Sequence, residues 1–585
     1  MLALHNITLQ VGNRQEPQTL LDDVSLHIPS GQLVGIVGPA GSGKSTLIKV
    51  IAGVHEPDEG SVHWAGRDLA EKDLAPCDIG YVPQFSIAFD HLTVWESMID
   101  ALRLRVKGQS QQARYFRAKS ILSQVGIIGI SARRVRVLSG GEKRRLGLAL
   151  ELVTFPTLLI ADEVTSGLDP KSEEEIMRLM HDLTRNCQRI VLAVTHNLRH
   201  ISLCDSVAVM HQGSLVYFGP TPRLMEYFKV NSAEEVFPEL AKRSPKEWHD
   251  AWITRCAEFK PEAKPNWEPT VQGQEPLTAN TPSEMDAETA AGWKGKRKNT
   301  ATPGLVTQFL VLLERRWRIF FRDGSQVWLH LALLVGFPCL VVIFALAGLP
   351  EIQNLSMTPD VNVLDQLREA NKFIIESTKV GRLVSGLVIM QVVLLTLMGS
   401  NNSAREIAGE RLIFEKEKLG GLRPLSYLTS KAAFLFVLVA LQSFWMAMFV
   451  SRICHFPGNL GEQVLLLLLA NAAMTSTCLA ISSMMKSPEQ ASLVSIYLVG
   501  FQLPLSGAVL GLPEVFRWLT RPFIAAYWSW SGILQTMRDT RFYDVVQLVT
   551  PTDLSPGALC LWALGCHVGI GLIVAYLGCI RSRWE

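Results

Sequence analysis

The sequence of 585 residues lacks an excess of charge of either sign. Its 56 lysine and arginine residues nearly balance its 54 aspartate and glutamate residues, and the net charge at pH 7 is +2. A protein that binds nucleic acid usually carries a strongly basic face. The composition does not favour such a face, so we expect no nucleic acid among the partners.

The sequence also lacks the cysteine patterns of metal and redox sites. None of the ten cysteines belongs to a CxxC pair, and none has the spacing of a metal-ligand set. Five of them lie inside apolar runs, namely Cys339, Cys478, Cys560, Cys566 and Cys579. Because free cysteine is usually buried and unreactive, we interpret the cysteines as small core residues.

Long apolar runs are confined to one part of the chain. Residues 1–300 have the composition of a soluble protein followed by a polar stretch, whereas residues 325–580 are dominated by long apolar runs. Residues 1–6 lack a basic region followed by an apolar core, so we expect no secretory signal and a first domain that stays in the cytoplasm. A chain of this length is expected to hold more than one domain.

A phosphate-binding loop stands between an apolar run at 33–37 and a helix-like run at 47–52. Its residues are Gly38, Pro39, Ala40, Gly41, Ser42, Gly43, Lys44, Ser45 and Thr46. In such a loop the glycines let backbone N–H groups face the phosphates, the lysine reaches the β and γ oxygens, and the serine hydroxyl ligates Mg²⁺. The loop therefore predicts ATP and Mg²⁺ as cofactors.

Two further motifs follow this loop. Gln84 ends the segment 81–84, where a glutamine side chain can contact Mg²⁺ or the attacking water. Ser139, Gly140 and Gly141 come directly before a helix expected to begin near 143. The N-terminus of a helix binds anions, so this segment predicts a second phosphate contact.

The chemistry of hydrolysis points to the end of the apolar run at 158–161. Asp162 is placed to hold Mg²⁺ through water, and Glu163 can orient or deprotonate the water that attacks the γ-phosphate. Asp169 follows soon after, and His196 ends another apolar run. Each of these residues alone would be explained as a strand end, a turn or a helix cap. Their order within 160 residues of a complete phosphate loop favours the catalytic interpretation.

Together these motifs resemble the cassette of the ATP-binding cassette (ABC) transporters, with Walker A, Q-loop, signature, Walker B, D-loop and H-loop present. In that family two cassettes enclose two ATP molecules head to tail. The resemblance implies that Ser139 and Gly141 contact the γ-phosphate bound by the partner subunit's Lys44. It also implies that Glu163 is the general base and His196 the γ-phosphate sensor. A homodimer would then have two competent sites.

The sequence departs from the family pattern at two places. The stretch at 9–12 has no aromatic residue to stack on adenine, and Val164 follows Glu163 where proline is common. The order of the domains and the segments 138–169, 215–228 and 404–431 resemble the G subfamily, the White and pleiotropic drug resistance group, in its prokaryotic form. That resemblance implies a half-transporter in which the cassette precedes the membrane domain.

We therefore expect an α/β P-loop NTPase fold followed by an all-α six-helix transmembrane domain. The expected domains are a cassette at 1–240, a partly disordered linker at 241–302, an amphipathic connecting helix at 303–326 and a transmembrane domain at 327–585. Runs of about 17–25 apolar residues predict the spans. They lie at 327–348, 383–400, 432–450, 464–485, 491–512 and 557–580.

The predicted membrane topology depends on the cassette, which must lie in the cytoplasm because ATP is there. Loops and flanks predicted to lie inside hold 12 lysine and arginine residues against 9 outside, which is a weak bias. An even number of spans places both termini in the cytoplasm. The charged loop at 401–430 would then face the cassette, either as a coupling element or as a solvated, salt-bridged helix.

Polar residues within the spans have two possible roles. Gln391, Gln442, Asn471, Gln502 and the cluster at 475–477 either line a pathway or join helices to one another. No Asp, Glu, Lys or Arg lies inside a predicted span, which favours a hydrophobic or lipid-like substrate.

The sequence thus predicts an ATP-driven transporter of an inner or plasma membrane, in contact with membrane lipids, that exports or flips such a substrate by alternating access. It pairs with a second copy or a related half-transporter. A membrane ATPase that drives an envelope partner mechanically, or an importer, is the alternative.

Overall fold

The computed structural model describes residues 1–11, 18–69, 75–84, 88–185, 189–259, 302–345, 363–509, 511–550 and 552–582. The chain forms two compact units. The first comprises Met1–Thr307 together with Lys416–Leu422, and the second comprises Gln308–Glu415 and Arg423–Arg583. The segment Lys416–Leu422 therefore belongs to the first unit, although the residues on both sides of it belong to the second.

The first unit contains two β-sheets. A four-stranded antiparallel sheet has the order β2 (Gln18–Ile28), β1 (Leu2–Val11), β4 (Glu59–Trp64), β5 (Arg67–Asp68). A six-stranded sheet has the order β10 (Ser214–Pro220), β9 (Ser206–His211), β3 (Leu33–Val37), β8 (Ile190–Thr195), β7 (Leu158–Asp162), β6 (Ile79–Val82). Strands β3, β6, β7, β8 and β9 run parallel, and β10 pairs antiparallel with β9.

The central strands of the larger sheet are buried along their whole length. Every residue of β3, β7 and β8 is buried. Parallel strands covered on both faces have continuous apolar sequences, which explains the apolar runs at 33–37, 158–161 and 190–194. Ligands of such sheets bind beyond the carboxyl ends of the strands. The loop after β3 and the residues after β7 and β8 meet at that edge.

Eight helices surround these sheets in the described part of the first unit. They are α1 (Lys44–Ile51), α2 (Val94–Arg105), α3 (Gln111–Gln124), α4 (Gly140–Leu152), α5 (Pro170–Arg185), α6 (Leu224–Phe228), α7 (Val236–Leu240) and α8 (Pro245–Arg255). The buried core continues past residue 240, because Trp248, Trp252 and Phe259 pack with Tyr217 of β10 and with its neighbours. Residues 245–259, which the sequence assigns to the linker, thus complete the cassette core. The rest of the predicted linker, 260–301, lies outside the described residues.

The second unit is helical in its described residues. Its helices are α9 (Leu305–Arg322, whose first residues belong to the first unit), α10 (Gly324–Val342), α11 (Val363–Ser403), α12 (Arg411–Leu419, whose last residues belong to the first unit), α13 (Pro424–Cys454), α14 (Leu460–Met484), α15 (Pro488–Leu505), α16 (Glu514–Thr520), α17 (Ala525–Gln535), α18 (Arg541–Val549) and α19 (Gly557–Arg581). The three short helices α16, α17 and α18 lie between the last two predicted spans, 491–512 and 557–580.

Five segments of the described chain are long and apolar enough to cross a membrane. They are Gly324–Ala345, Ala370–Leu419, Pro424–Cys454, Leu460–Met484 and Gly557–Arg581. The remaining predicted span, 491–512, overlaps α15, which has 18 residues and includes the polar Glu489, Gln490 and Gln502. These polar residues lower its mean hydropathy, and the count of six spans stays a prediction.

Large apolar side chains are exposed on the outer helices of this unit. Trp328 and Val335 on α10, and Trp562 and Ile573 on α19, are among them. Soluble proteins rarely expose large contiguous apolar surfaces, whereas contact with lipid tails favours them. The exposure pattern agrees with a domain embedded in a membrane.

Charged residues of α9 and of the loop after α11 are buried rather than solvated. Arg316 is 7% exposed, and its Nη2 atom donates to Glu406 Oε2 at 2.8 Å. Lys431 Nζ donates to Glu406 Oε1 at 2.9 Å and to Glu410 Oε2 at 2.6 Å. The alternating charges near 401–430 therefore serve paired, buried contacts, which disfavours the interpretation as a solvated helix.

Candidate active site

The phosphate-binding loop connects β3 to α1 as the sequence predicts. Gly43 has φ +93°, and an added Cβ would lie 2.9 Å from the carbonyl oxygen of Leu20. Both the backbone conformation and the close approach therefore require glycine at this position. Helix α1 begins at Lys44 without a side-chain cap. Its first N–H groups have no partner within the helix and are free to bind an anion.

Lys44 is held inside this loop. Its side chain is buried, and Nζ donates to the carbonyl oxygens of Gly38 at 2.9 Å and Pro39 at 2.8 Å. Burial lowers the pKa of Lys44, while the negative charges of Glu163 and Asp162 oppose that shift. The ammonium group thus lies close to both carboxylates at the end of β7.

Asp162 has the features of a carboxylate that binds a cation. It is 8% exposed, and its Oδ2 atom accepts a hydrogen bond from Tyr81 Oη at 3.0 Å. Its Oδ1 atom is buried and has no hydrogen-bond partner among the described residues. Burial raises the pKa of Asp162, and the hydrogen bond from Tyr81 counteracts the shift. A buried free carboxylate oxygen beside a serine hydroxyl suits Mg²⁺, which prefers oxygen ligands.

Glu163 lies close to the other two predicted catalytic residues, Gln84 and His196. Its Oε2 atom accepts a hydrogen bond from Gln84 Nε2 at 2.8 Å, and its Oε1 atom lies 3.8 Å from His196 Nδ1. The backbone of Glu163 has φ +45°. A non-glycine residue in this region is strained, and such strain concentrates at functional sites.

The signature residues, 139–141, lie away from the phosphate-binding loop in the first unit. Ser139 caps α4 in a capping box with Glu142, with Glu142 N donating to Ser139 Oγ at 3.3 Å and Ser139 N to Glu142 Oε2 at 2.8 Å. Cβ atoms added at Gly140 and Gly141 would come within 4 Å of the Leu168 and Ser172 side chains. Asp169 directly precedes α5, and its Oδ1 atom accepts from Ser172 N at 3.0 Å. No recorded hydrogen bond joins residues 139–141 to the phosphate-binding loop in the part of the chain that the structure describes.

Two groups of residues in this unit have no motif of their own in the sequence. Tyr81 is one of them, and the pair Glu151 and Arg105 is the other. Glu151 forms ion pairs with Arg105 at 2.8 Å and with Lys416 at 3.0 Å, all of them buried. The sequence signal for this ion pair is a glutamate and an arginine at inward-facing positions of α4 and α2. Buried charges are almost always paired, so two such residues indicate a buried ion pair.

Comparisons with known proteins agree with this geometry. The family described as ABC transporter matches residues 21–166, and the family described as ABC-2 type transporter matches residues 307–537. A methionine import ATP-binding protein of Streptomyces avermitilis is 34% identical over 250 residues, which cover 41% of this chain and 72% of the relative. The chain belongs to the ABC transporter family. In this ABC transporter chain, a nucleotide-binding cassette is followed by an ABC-2 type membrane domain.

A relative with both parts is also found. An ABC transporter ATP-binding/permease protein of Mycobacterium tuberculosis is 27% identical over 589 residues, which cover 97% of this chain and 61% of the relative. This ABC transporter chain thus spans about three-fifths of that relative's length. A solved dimeric ATP-binding cassette in a post-hydrolysis state, bound to ADP and Pi, matches 38% of this chain at 28% identity and a TM-score of 0.35.

Proposed function

We propose that this chain hydrolyses Mg²⁺-bound ATP and uses the reaction to export or flip a hydrophobic or lipid-like substrate by alternating access. It acts as a G-subfamily-like half-transporter with a second copy or a related chain as its partner. One observation carries the proposal. Lys44, the free oxygen of Asp162, and Glu163 with its neighbours Gln84 and His196 converge at the carboxyl edge of one parallel sheet.

Each residue of this edge has a role in the proposal. The backbone of residues 38–46 and the ammonium group of Lys44 bind the phosphates. Ser45, Asp162 and the amide oxygen of Gln84 would hold Mg²⁺, which would neutralise the charge that develops on the phosphates. Glu163 takes the proton from the attacking water, and His196 contacts the γ-phosphate.

The signature residues support a paired arrangement. Ser139, Gly140 and Asp169 are exposed, and they share one surface near the N-termini of α4 and α5. Because no hydrogen bond joins them to the phosphate-binding loop of the same chain within the described residues, we propose that they complete the site of the partner subunit. The assignment follows the head-to-tail arrangement that the family resemblance implies.

The polar residues of the membrane domain support an apolar substrate. Gln442 and Asn402 exchange two hydrogen bonds, at 2.8 and 3.1 Å, and Asn471 Nδ2 donates to Gln442 Oε1 at 3.2 Å. Gln502 Oε1 accepts from the backbone N–H of Ala526 at 3.0 Å. These amides join helices to one another, which favours the structural role over a pathway role for them.

The segment Lys416–Leu422 is proposed as the coupling element. It belongs to the first unit while its neighbours in sequence belong to the second. Lys416 anchors it through the buried ion pair with Glu151. A change in the position of α4 on ATP binding would therefore move this segment and, through the continuous chain, the membrane helices.

The proposal also assigns a location and a topology. The chain would lie in an inner or plasma membrane with the cassette and both termini in the cytoplasm, where ATP is available. Protease or cysteine-labelling accessibility of the cassette in sealed vesicles of known orientation would test this topology.

The test of hydrolysis uses the full chain reconstituted in lipid vesicles. Phosphate release is compared between the wild type, Glu163→Gln and the matched control Glu174→Gln, whose carboxylate is exposed on α5 and pairs with Arg178. We expect Glu163→Gln to lower the rate by about 10²- to 10⁴-fold and the control to retain it. Unchanged activity in Glu163→Gln would remove Glu163 from its role.

The test of transport uses the same vesicles. Movement of fluorescent phospholipid analogues and amphipathic drugs is followed with ATP, with Glu163→Gln as the inactive reference. Hydrolysis without movement of any tested compound would favour the mechanical ATPase. An anionic, strongly hydrophilic solute as the preferred cargo would overturn the apolar substrate, and a strictly monomeric ATP-loaded Glu163→Gln chain would contradict the pairing.

A further inference from the structure

Tyr81 is adjacent both to Asp162 and to the cavity beside the segment Lys416–Leu422. It lies on β6, which pairs in parallel with β7, and it is 6% exposed. Its hydroxyl group donates to Asp162 Oδ2 at 3.0 Å. Because this bond engages Oδ2 and leaves the buried Oδ1 without a partner among the described residues, it determines which carboxylate oxygen is available to a cation.

The same tyrosine lines a small cavity on the side of the coupling segment. Its lining also includes Glu151, Lys416, Leu419 and Gly420. All of them belong to the first unit. Tyr81 therefore donates its hydroxyl to Asp162 and lines the same cavity as three residues of the segment Lys416–Leu422.

The walls of this cavity are tightly constrained. An added Cβ at Gly80 would lie 3.2 Å from Glu151 Cβ, so β6 passes directly against α4. An added Cβ at Gly420 would lie 2.6 Å from Arg105 Nε, so the segment packs against the Arg105 side chain of α2. The ion pairs of Glu151 with Arg105 and Lys416 hold these walls together. A shift of the segment would therefore press on its neighbours or leave a void beside Tyr81, since packed interiors leave little free volume.

We propose that Tyr81 is a positioning residue that orients Asp162 for Mg²⁺ and makes this orientation depend on how the segment Lys416–Leu422 is docked. The inference rests on the proposed function, because it takes Asp162 to be the carboxylate that holds Mg²⁺. It adds a physical link from the coupling segment to the metal, in addition to the link through α4. Groups that orient metal ligands commonly change metal affinity or activity by about 10- to 100-fold when they are removed.

The test is the substitution Tyr81→Phe in the full-length chain, which removes the hydroxyl and keeps the ring. The matched control is Tyr217→Phe, because Tyr217 is also buried in the cassette and its hydroxyl donates to the carbonyl oxygen of Pro220 at 2.8 Å. Binding of Mn²⁺ as a probe for Mg²⁺ is measured by electron paramagnetic resonance in the presence of ADP, where no hydrolysis occurs. The thermal unfolding midpoint of each variant reports any loss of packing.

We expect Tyr81→Phe to weaken Mn²⁺ binding about 10-fold and Tyr217→Phe to leave it unchanged. Lys416→Met, which releases the anchor of the segment, should also weaken Mn²⁺ binding, but should add little in the Tyr81→Phe background. Equal Mn²⁺ affinities of Tyr81→Phe and Tyr217→Phe would refute the positioning role. Independent effects of Lys416→Met and Tyr81→Phe would refute the dependence on docking.

Asp162→Asn separates this inference from the function on which it rests. If Asp162→Asn abolishes Mn²⁺ binding while Tyr81→Phe behaves as the control does, the inference fails and the proposed site stands. If Asp162→Asn retains wild-type Mn²⁺ binding, the assignment of the metal site itself is wrong.

Discussion

Substituting Glu151 by glutamine should undock the coupling segment without unfolding the cassette. In the wild type, the carboxylate lies between two buried cations, with Arg105 Nη1 at 2.8 Å and Lys416 Nζ at 3.0 Å. Glutamine keeps the size of the side chain and removes its charge. Arg105 and Lys416 would then face each other without the carboxylate between them.

The magnitude follows from Coulomb's law. Two like charges about 5 Å apart at an effective dielectric constant of about 20 repel each other by about 3 kcal/mol. Breaking one side of a buried ion pair typically costs about 3–5 kcal/mol. Arg105 is also attracted by Glu417, so the lower value is the better guide. The strain is relieved when Lys416 leaves the cassette, and 3 kcal/mol corresponds to about a 100-fold shift of the docking equilibrium.

Hydrogen exchange detected by mass spectrometry measures this shift directly. Residues 416–422 should exchange about 100-fold faster in Glu151→Gln, while the strands β3, β7 and β8 keep their protection. The double variant Glu151→Gln with Lys416→Met removes the unpaired ammonium group and should recover part of the protection. Wild-type exchange in Glu151→Gln, or no recovery in the double variant, would refute the argument that the ion pair anchors the segment.

Three further outcomes are expected. Trp248→Ala should lower the free energy of unfolding of the cassette by about 3–5 kcal/mol, because Trp248 is 4% exposed within the aromatic core. The measurement is the thermal unfolding midpoint, which should fall. An unchanged midpoint would indicate that residues 245–259 are not part of the cassette core. Gly43→Ala should abolish binding of a fluorescent ATP analogue, since φ +93° and the Leu20 carbonyl exclude a Cβ, and normal binding would contradict this account of the loop. Burial raises the pKa of Glu151, but Arg105 and Lys416 outweigh it and hold the pKa below its ordinary value of 4.5. A pKa that is lower in the folded chain than in the unfolded chain stabilises the docked segment above pH 4.5, and this contribution is lost as the pH falls towards the folded value. Hydrogen exchange at residues 416–422 should therefore accelerate only below pH 4.5. Loss of protection near neutral pH would contradict the role of Glu151 as the anchor of the segment.

The nucleotide site was predictable to the extent that its residues are contiguous. The loop at 38–46 follows an apolar strand and precedes a helix, and its conformation is dictated by its glycines and by the helix N-terminus. Glu163 and His196 each follow a buried strand, and neighbouring parallel strands end at the same edge. These local patterns and this general rule explain why Glu163, Gln84 and His196 lie close together.

Other features were beyond the reach of local patterns. The alternating charges near 401–430 allowed a solvated helix as well as a coupling element, because periodicity gives the faces of a helix and not what covers them. The arginines of α9 fit a helix lying on a membrane surface, yet Arg316 is buried against Glu406. Residues 245–259 fall within the predicted linker range 241–302, and only their packing on β10 shows that they close the cassette core.

The sequence by itself determined the class of the protein, the order of its two parts and the residues of its phosphate-binding loop, because short-range backbone geometry and long apolar runs leave a direct record in the chain. Only the tertiary structure decided that Tyr81 bonds to Asp162 and that Lys416 pairs with Glu151. These contacts join residues distant in sequence, and they depend on the order of strands in the sheet and on where a short segment docks. Neither is encoded in the periodicity of the residues that take part.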